Sequence, residues 1–359
     1  GSRLTGAVRP RVGFLPRIHS EDPSGLHAAR RSRFRSSLEG PMTTGIPKDC
    51  RPFDLQVNGY AGCDFSAADS SLEQVRSACE ALVADGMDAI LATIITGPLE
   101  RMEAALSRLA RFREEDPLVR RVIVGFHVEG PFLSPLAGFV GAHDPDSIRP
   151  AMPGAAARLL EAGRGLVRIV TLAPEHDAGL ATTRRLVAEG IVVSAGHTDA
   201  PLEVLREAVD AGLSMVTHLG NGCPMTLPRH DSIIQRVLAL GRHQAKSGGP
   251  RPWVSFIPDG MHVPIFALGN YLEAVGLDRT VMVTDAIAAT RCGPGRYALA
   301  GGPVQVDEQG TARRPGSENL AGSTVTISRV CRILVEGLGL SDDDVRRLVD
   351  LHPRRIVPV

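Results

Sequence analysis

Eight short apolar runs, each continuous and rich in β-branched residues, constrain this chain more than any other feature. They are Phe53–Val57, Ala89–Ile95, Val122–Val128, Val167–Leu172, Ile191–Ser194, Met215–Thr217, Trp253–Ile257 and Val281–Thr284. Strands buried on both faces read this way, without polar alternation, and such strands belong to parallel sheets. Amphipathic stretches separate them, among them Leu72–Ala84, Leu99–Arg113, Pro201–Ala211 and Asp231–Leu240. Strand–helix alternation repeated eight times predicts a (β/α)8 TIM barrel. The rival, a doubly wound open sheet, would carry a GxGxxG after its first strand, and none is present. After Asp285 a Gly-rich stretch interrupts the pattern, and a β-hairpin insertion is expected near 291–320.

Composition narrows the class. Hydrophobic residues make up 43% and charged residues 22%, the balance of a soluble globular domain. No apolar run approaches the roughly 18 residues of a membrane span. Forty basic residues balance forty acidic ones, so no global field favours nucleic acid or an anionic membrane, and neither partner is expected. The six cysteines form no CxxC pair and read as reduced thiols, which suits a cytoplasmic protein. Lys48 and Lys246 are the only lysines, and neither follows a barrel strand. That argues against Schiff-base chemistry and against a carboxylated lysine bridging two metals. Residues 1–50 carry nine basic residues against four acidic ones and show no structural period. Compositionally they could be a transit peptide; the expectation is a disordered or artefactual extension, with the barrel occupying 51–359.

Barrel enzymes draw their catalytic groups from the C-terminal ends of the strands. Here those ends offer Gln56 and Asn58, Glu129, His197, His218, Asp259 and His262, and Asp285. Thr96 and Glu175, at the ends of the second and fourth runs, are weaker candidates. One histidine after a strand is usually a hydrogen-bonded loop residue. One carboxylate and two imidazoles at the ends of one barrel, Glu129, His197 and His218, instead suit a catalytic divalent zinc site with an open position. His127, on the strand of Glu129, is expected to be a satisfied core histidine. Asp285 precedes Ala286-Ile287-Ala288, so it reads either as a helix N-cap or as a general base beside a metal-activated water. Its place at a strand end favours the base.

Several blocks then resemble one family. GFHVEGPFL (125–133), GAH (141–143), SAGHTDA (194–200), THLGNGCP (217–224), PDGMHVP (258–264), VTDAIAAT (283–290) and LAGS (320–323), with DLQVNGYAGCDF (54–65), are similar to the N-acetylglucosamine-6-phosphate deacetylases of the amidohydrolase superfamily. The resemblance implies Glu129, His197 and His218 as metal ligands and Asp285 as the catalytic aspartate. It implies His143 beside the acetyl carbonyl, Asn221 and Gly222 against the sugar phosphate, Arg229 on the phosphate, and His262 as the DGxH histidine. It also implies a homodimer, since the family's arginine can come from a neighbouring subunit.

The implied reaction is hydrolysis of N-acetyl-D-glucosamine 6-phosphate to glucosamine 6-phosphate and acetate. Gln56-Val57-Asn58 stands where many amidohydrolases carry the His-x-His of a second metal, so one divalent ion, zinc, is expected. Val140 stands where the family has lysine, and Arg229-His230-Asp231-Ser232 where it has Arg-Glu-Pro-Gly. Asp231 would repel a phosphate unless another group screens it; in the rival reading it caps its helix and pairs with Arg229. The alternative function is deacetylation of a different, possibly unphosphorylated, N-acetyl amino sugar or opening of a cyclic amide. A metal-free sugar-phosphate isomerase and a non-catalytic binding protein are the readings from other classes. The family's accessory β-sandwich is built from both chain ends, and neither the segment before Pro52 nor that after Pro353 supplies its strands, so a barrel-only variant is expected.

Overall fold

The computed structural model describes residue 1 and residues 45–317 and 319–358, with the backbone alone for 243–247. Most of the expected extension, residues 2–44, lies outside the described residues. Within the part that is described, Ile46 packs against the main core.

Eight strands run in chain order around one sheet: β1 (Phe53–Val57), β2 (Ala89–Ile95), β3 (Ile123–Glu129), β4 (Val167–Leu172), β5 (Val192–Ala195), β6 (Met215–Val216), β7 (Trp253–Phe256) and β8 (Thr280–Met282). Every neighbouring pair is parallel, and sequential order is the barrel's signature, not that of an open doubly wound sheet. The boundaries fall within two residues of those read from the sequence, and β3 extends to include Glu129 itself.

The barrel closes between β1 and β8 with help from one side chain. Asp54 is buried, and its two carboxylate oxygens accept from the amides of Gln56 and Thr284, each at 2.9 Å. Just above, Asp285 N donates to Gln56 O at 3.0 Å and Asn58 N donates to Ala286 O at 2.8 Å. Phe53, Leu55, Leu91, Ile169, Met215 and Val281 are among those that fill the interior, and Ile356 and Val357 close one end. A larger apolar cluster packs the outer helices against the strands.

The helices follow the amphipathic stretches. Leu72–Ala84 begins at a Ser71–Gln74 capping box, which satisfies two otherwise unpaired amides. The helix expected from Asp231 begins instead at Ile233 and runs to Ser247. Ser232, not Asp231, sits at its head, accepting from Gln235 N at 3.5 Å. After Asp285 there is no helix; Ala286 bridges Val57 and Ser323 in extended backbone. The helix-cap reading of Asp285 therefore falls.

The Gly-rich interruption forms a three-stranded antiparallel sheet, β9 (Gly295–Leu299), β10 (Gly302–Val306) and β11 (Ala312–Arg313). Its Leu299, Val304, Val306 and Ala312 pack with Ile95 and Ile287, so it rests on the barrel at the strand ends. Among the described residues the only other sheet is a short ribbon, Gly59–Tyr60 with Cys63–Asp64. All six cysteines are free, and among the described residues no helix is long and apolar enough to cross a membrane.

Candidate active site

Glu129 ends β3, His197 and His218 follow β5 and β6, and the three meet inside the barrel mouth. Glu129 Oε1 lies 2.9 Å from His218 Nε2 and 3.4 Å from His197 Nε2. His143, carried by the loop after β3, joins them, with Nε2 3.2 Å from His197 Nε2 and 3.9 Å from Glu129 Oε2. All four are buried. Ligand atoms of Glu129, His143 and His197 lie within 4.8 Å of one another, so this group could hold a metal ion. His143 is thus drawn into the cluster itself, beside the expected ligands.

Backbone conformation builds this convergence. His197, His218 and Asp285 adopt left-handed φ values of 51°, 34° and 52°. Such values are uncommon outside glycine and gather at functional sites, where surrounding structure holds the strain. Two glycines make room for the His197 ring. A Cβ on Gly222 would come within 2.8 Å of its Nδ1, and one on Gly141 within 2.8 Å of its Cε1. The ring is fixed by Nδ1 donating to Phe139 O at 2.7 Å. A carbonyl can only accept, so in the neutral ring Nε2 carries a lone pair facing the Glu129 carboxylate.

Electrostatics follow from burial and this crowding. Burial alone would raise the Glu129 pKa, but the hydrogen bond and positive charge of His218 hold it well below the usual carboxylate value. Burial and the neighbouring His197 push His143 well below the ordinary imidazole value. For His218 burial is outweighed by the Glu129 bond and charge, and its pKa rises. Asp285 is pushed up to about 6 by burial and by the Glu129 charge. A buried carboxylate poised near neutrality is what a general base requires.

Side chains that the sequence marked only as strand-end positions prove to be braces. Gln56 Nε2 donates to Glu129 Oε1 at 3.2 Å, and Asn58 Nδ2 donates to Asp285 Oδ1 at 2.7 Å. Thr96 donates its hydroxyl to Glu129 O at 3.1 Å and its amide to His143 Nδ1 at 3.3 Å. Below the cluster lies a relay with no motif of its own. His127 Nε2 meets Thr171 Oγ1 at 2.7 Å, which meets Thr217 Oγ1 at 2.7 Å, which meets Ser194 Oγ at 2.6 Å. With Nδ1 also satisfied, 3.0 Å from Leu55 O, His127 is a fully bonded core histidine with a pKa lowered to about 4 by burial.

The remaining expected residues lie around the mouth. Asn221 Nδ2 donates to His218 O at 3.1 Å, and Gly222 covers His197. His262 is held by Asp259, Nδ1 to Oδ2 at 2.6 Å, and it is near enough to Asp285 for its charge to lower that pKa. Arg229 and His230 are exposed. The rival pairing of Arg229 with Asp231 is absent; Asp231 pairs with Arg236 at 2.6 Å.

A (β/α)8 barrel whose mouth holds a buried carboxylate–imidazole cluster beside a poised aspartate defines a hydrolase of the amidohydrolase type. No family model matches the chain. It is 30% identical over 307 residues to the N-acetylgalactosamine-6-phosphate deacetylase of Escherichia coli O157:H7, covering 85% of this chain and 77% of that protein. It is 33% identical over 314 residues to the N-acetylglucosamine-6-phosphate deacetylase of Danio rerio, covering 85% and 74%. Among solved structures it superposes on a variant of the Mycobacterium smegmatis N-acetyl-D-glucosamine-6-phosphate deacetylase in complex with N-acetyl-D-glucosamine-6-phosphate. That match has a TM-score of 0.76 and 34% identity, and covers 88% of this chain and 78% of the other. The chain belongs to the N-acetylglucosamine-6-phosphate deacetylase family.

Proposed function

We propose that the protein removes the acetyl group from N-acetyl-D-glucosamine 6-phosphate, giving glucosamine 6-phosphate and acetate. The observation that carries this reading is the buried cluster of Glu129, His143, His197 and His218 beside Asp285, in a chain of this family. The cluster fits a divalent cation. The His197 lone pair faces a carboxylate, and His218 Nδ1, Gln56 Oε1 and Asn58 Oδ1 are buried without a hydrogen-bond partner among the described residues. One carboxylate with two imidazoles suits zinc, held by Glu129, His197 and His218. Gln56 and Asn58 spend their amides on Glu129 and Asp285, which supports a single ion.

When bound, the ion supplies a Lewis acid that acidifies water and polarises the acetyl carbonyl. Asn58 occupies Asp285 Oδ1, which leaves Oδ2 to take the proton of the attacking water and return it to the departing amine. Thr96 N holds His143 Nδ1 as an acceptor, so the His143 proton sits on Nε2, aimed into the cluster, where it can stabilise charge developing on the acetyl oxygen. Asn221, Gly222, Arg229 and His262 bind the sugar and its phosphate. A homodimer in which Arg229 reaches the neighbouring site, located in the cytoplasm, completes the reading, with residues 51–359 forming the catalytic barrel. A second reading, a different N-acetyl amino sugar, is favoured by the 30% identity to the galactosamine-type enzyme.

Acetate release across N-acetylglucosamine 6-phosphate, its galactosamine epimer and the unphosphorylated sugars tests the proposal. Turnover is expected to be best on the first. Arg229→Ala is expected to raise KM for it by about an order of magnitude, as for loss of a charge-assisted bond, while leaving plain N-acetylglucosamine nearly unchanged. Equal losses on both sugars would remove Arg229 from the phosphate site.

A further inference from the structure

We propose that Arg236, which touches no substrate, sets the preference for a phosphorylated sugar by keeping the Asp231 carboxylate away from Arg229 and from the phosphate. The inference rests on the reading above that Arg229 meets the phosphate. Asp231 is the unfavourable member of the Arg229-His230-Asp231 loop: its side chain is 77% exposed and only two residues from Arg229. Left free, that carboxylate would either repel a phosphate dianion or capture the guanidinium meant to bind it.

In the structure that carboxylate is held by Arg236 instead of Arg229. Arg236, in the helix Ile233–Ser247, commits all three guanidinium nitrogens. Nη1 donates to Asp199 Oδ1 at 2.9 Å, to Asp199 O at 3.0 Å and to Ala200 O at 3.3 Å, which anchors the fork on the loop after β5. Nε then donates to Asp231 Oδ1 at 2.6 Å and Nη2 to Asp231 O at 3.3 Å. The Arg236 side chain is only 15% exposed, so its guanidinium meets Asp231 already oriented, unlike an ordinary surface lysine. Asp231 responds as a paired carboxylate, with its pKa lowered by the Arg236 bond. Asp199 is itself fixed by its amide donating to Glu175 Oε1 at 2.8 Å, so the anchor is held independently of Asp231. Arg229, exposed and without an ion pair among the described residues, remains as the cation that this loop presents.

The test is the ratio of kcat/KM on N-acetylglucosamine 6-phosphate to kcat/KM on N-acetylglucosamine. Arg236→Gln is expected to lower that ratio about fivefold, the upper end for one exposed charge pair, through KM for the phosphorylated sugar, with the plain sugar unaffected. Asp231→Asn in the same background is expected to restore it, because the carboxylate that Arg236 restrained is gone. Asp231→Asn alone is expected to leave the ratio at or above wild type, and this arm stands even if Arg236→Gln fails to fold. An unchanged ratio in Arg236→Gln, equal losses on both sugars, no recovery in the double variant, or a fall in Asp231→Asn would each overturn the inference. A wild-type ratio near one would instead overturn the phosphate reading beneath it, and needs no variant to detect.

Discussion

Asp285 shows how a residue's chemistry depends on the bonds that leave part of it free. Asn58 holds one carboxylate oxygen at 2.7 Å, and burial with the Glu129 charge lifts the pKa to about 6. The carboxylate is the working form, so the rate is expected to fall as pH drops through that value; the positive charge of a bound ion moves this limb lower. Asp285→Asn keeps the size and the Asn58 contact but cannot take a proton. It is expected to lower kcat by at least about a hundredfold, the low end for a general acid–base group, with metal content retained. A rate within threefold of wild type would strip Asp285 of the role. At this scale the ligand-type residues were legible in the sequence because they end apolar runs. The hydroxyl relay of Thr171, Thr217 and Ser194 was not, since threonine and serine in a strand are ordinary residues until the barrel brings three strands together.

Elements place those residues through contacts that carry no motif. The seam between β1 and β8 depends on Asp54, whose removal leaves the amides of Gln56 and Thr284 buried without acceptors. At about 1–3 kcal/mol for each unsatisfied group, Asp54→Ala is expected to cost about 2–6 kcal/mol in denaturant unfolding; a loss under half a kcal/mol would show that the seam closes without it. Gly222 has a φ of 60° and lies against the His197 ring. Gly222→Ala combines a strained backbone with a Cβ at 2.8 Å from Nδ1, so metal content and turnover should both fall while the melting temperature changes little. Normal metal content in that variant would contradict the packing argument. Strand positions were readable because buried β-branched runs are hard to mistake. The start of the helix at Ile233 was not, because Asp231 is an equally good cap by type and only its capture by Arg236 removes it.

For the whole molecule, sequential parallel strands put every loop after a strand at one mouth, and that alone explains why residues from 129 to 285 converge. The sequence showed this topology through its eightfold alternation, and the family resemblance through blocks in matching order. Residue pattern alone could not bring His143 to the cluster, because a 13-residue loop separates it from the strand end; the resemblance alone set it beside the acetyl carbonyl, and Thr96 N holds its ring. Fold, cluster and reaction meet in one requirement: one ion, held by this chain, is needed to release acetate. Acetate production from N-acetylglucosamine 6-phosphate is therefore measured on chelator-stripped protein during titration with Zn2+. No release is expected at first, and full activity at one equivalent per chain. Acetate release that survives stripping, or that requires a second equivalent, would contradict it.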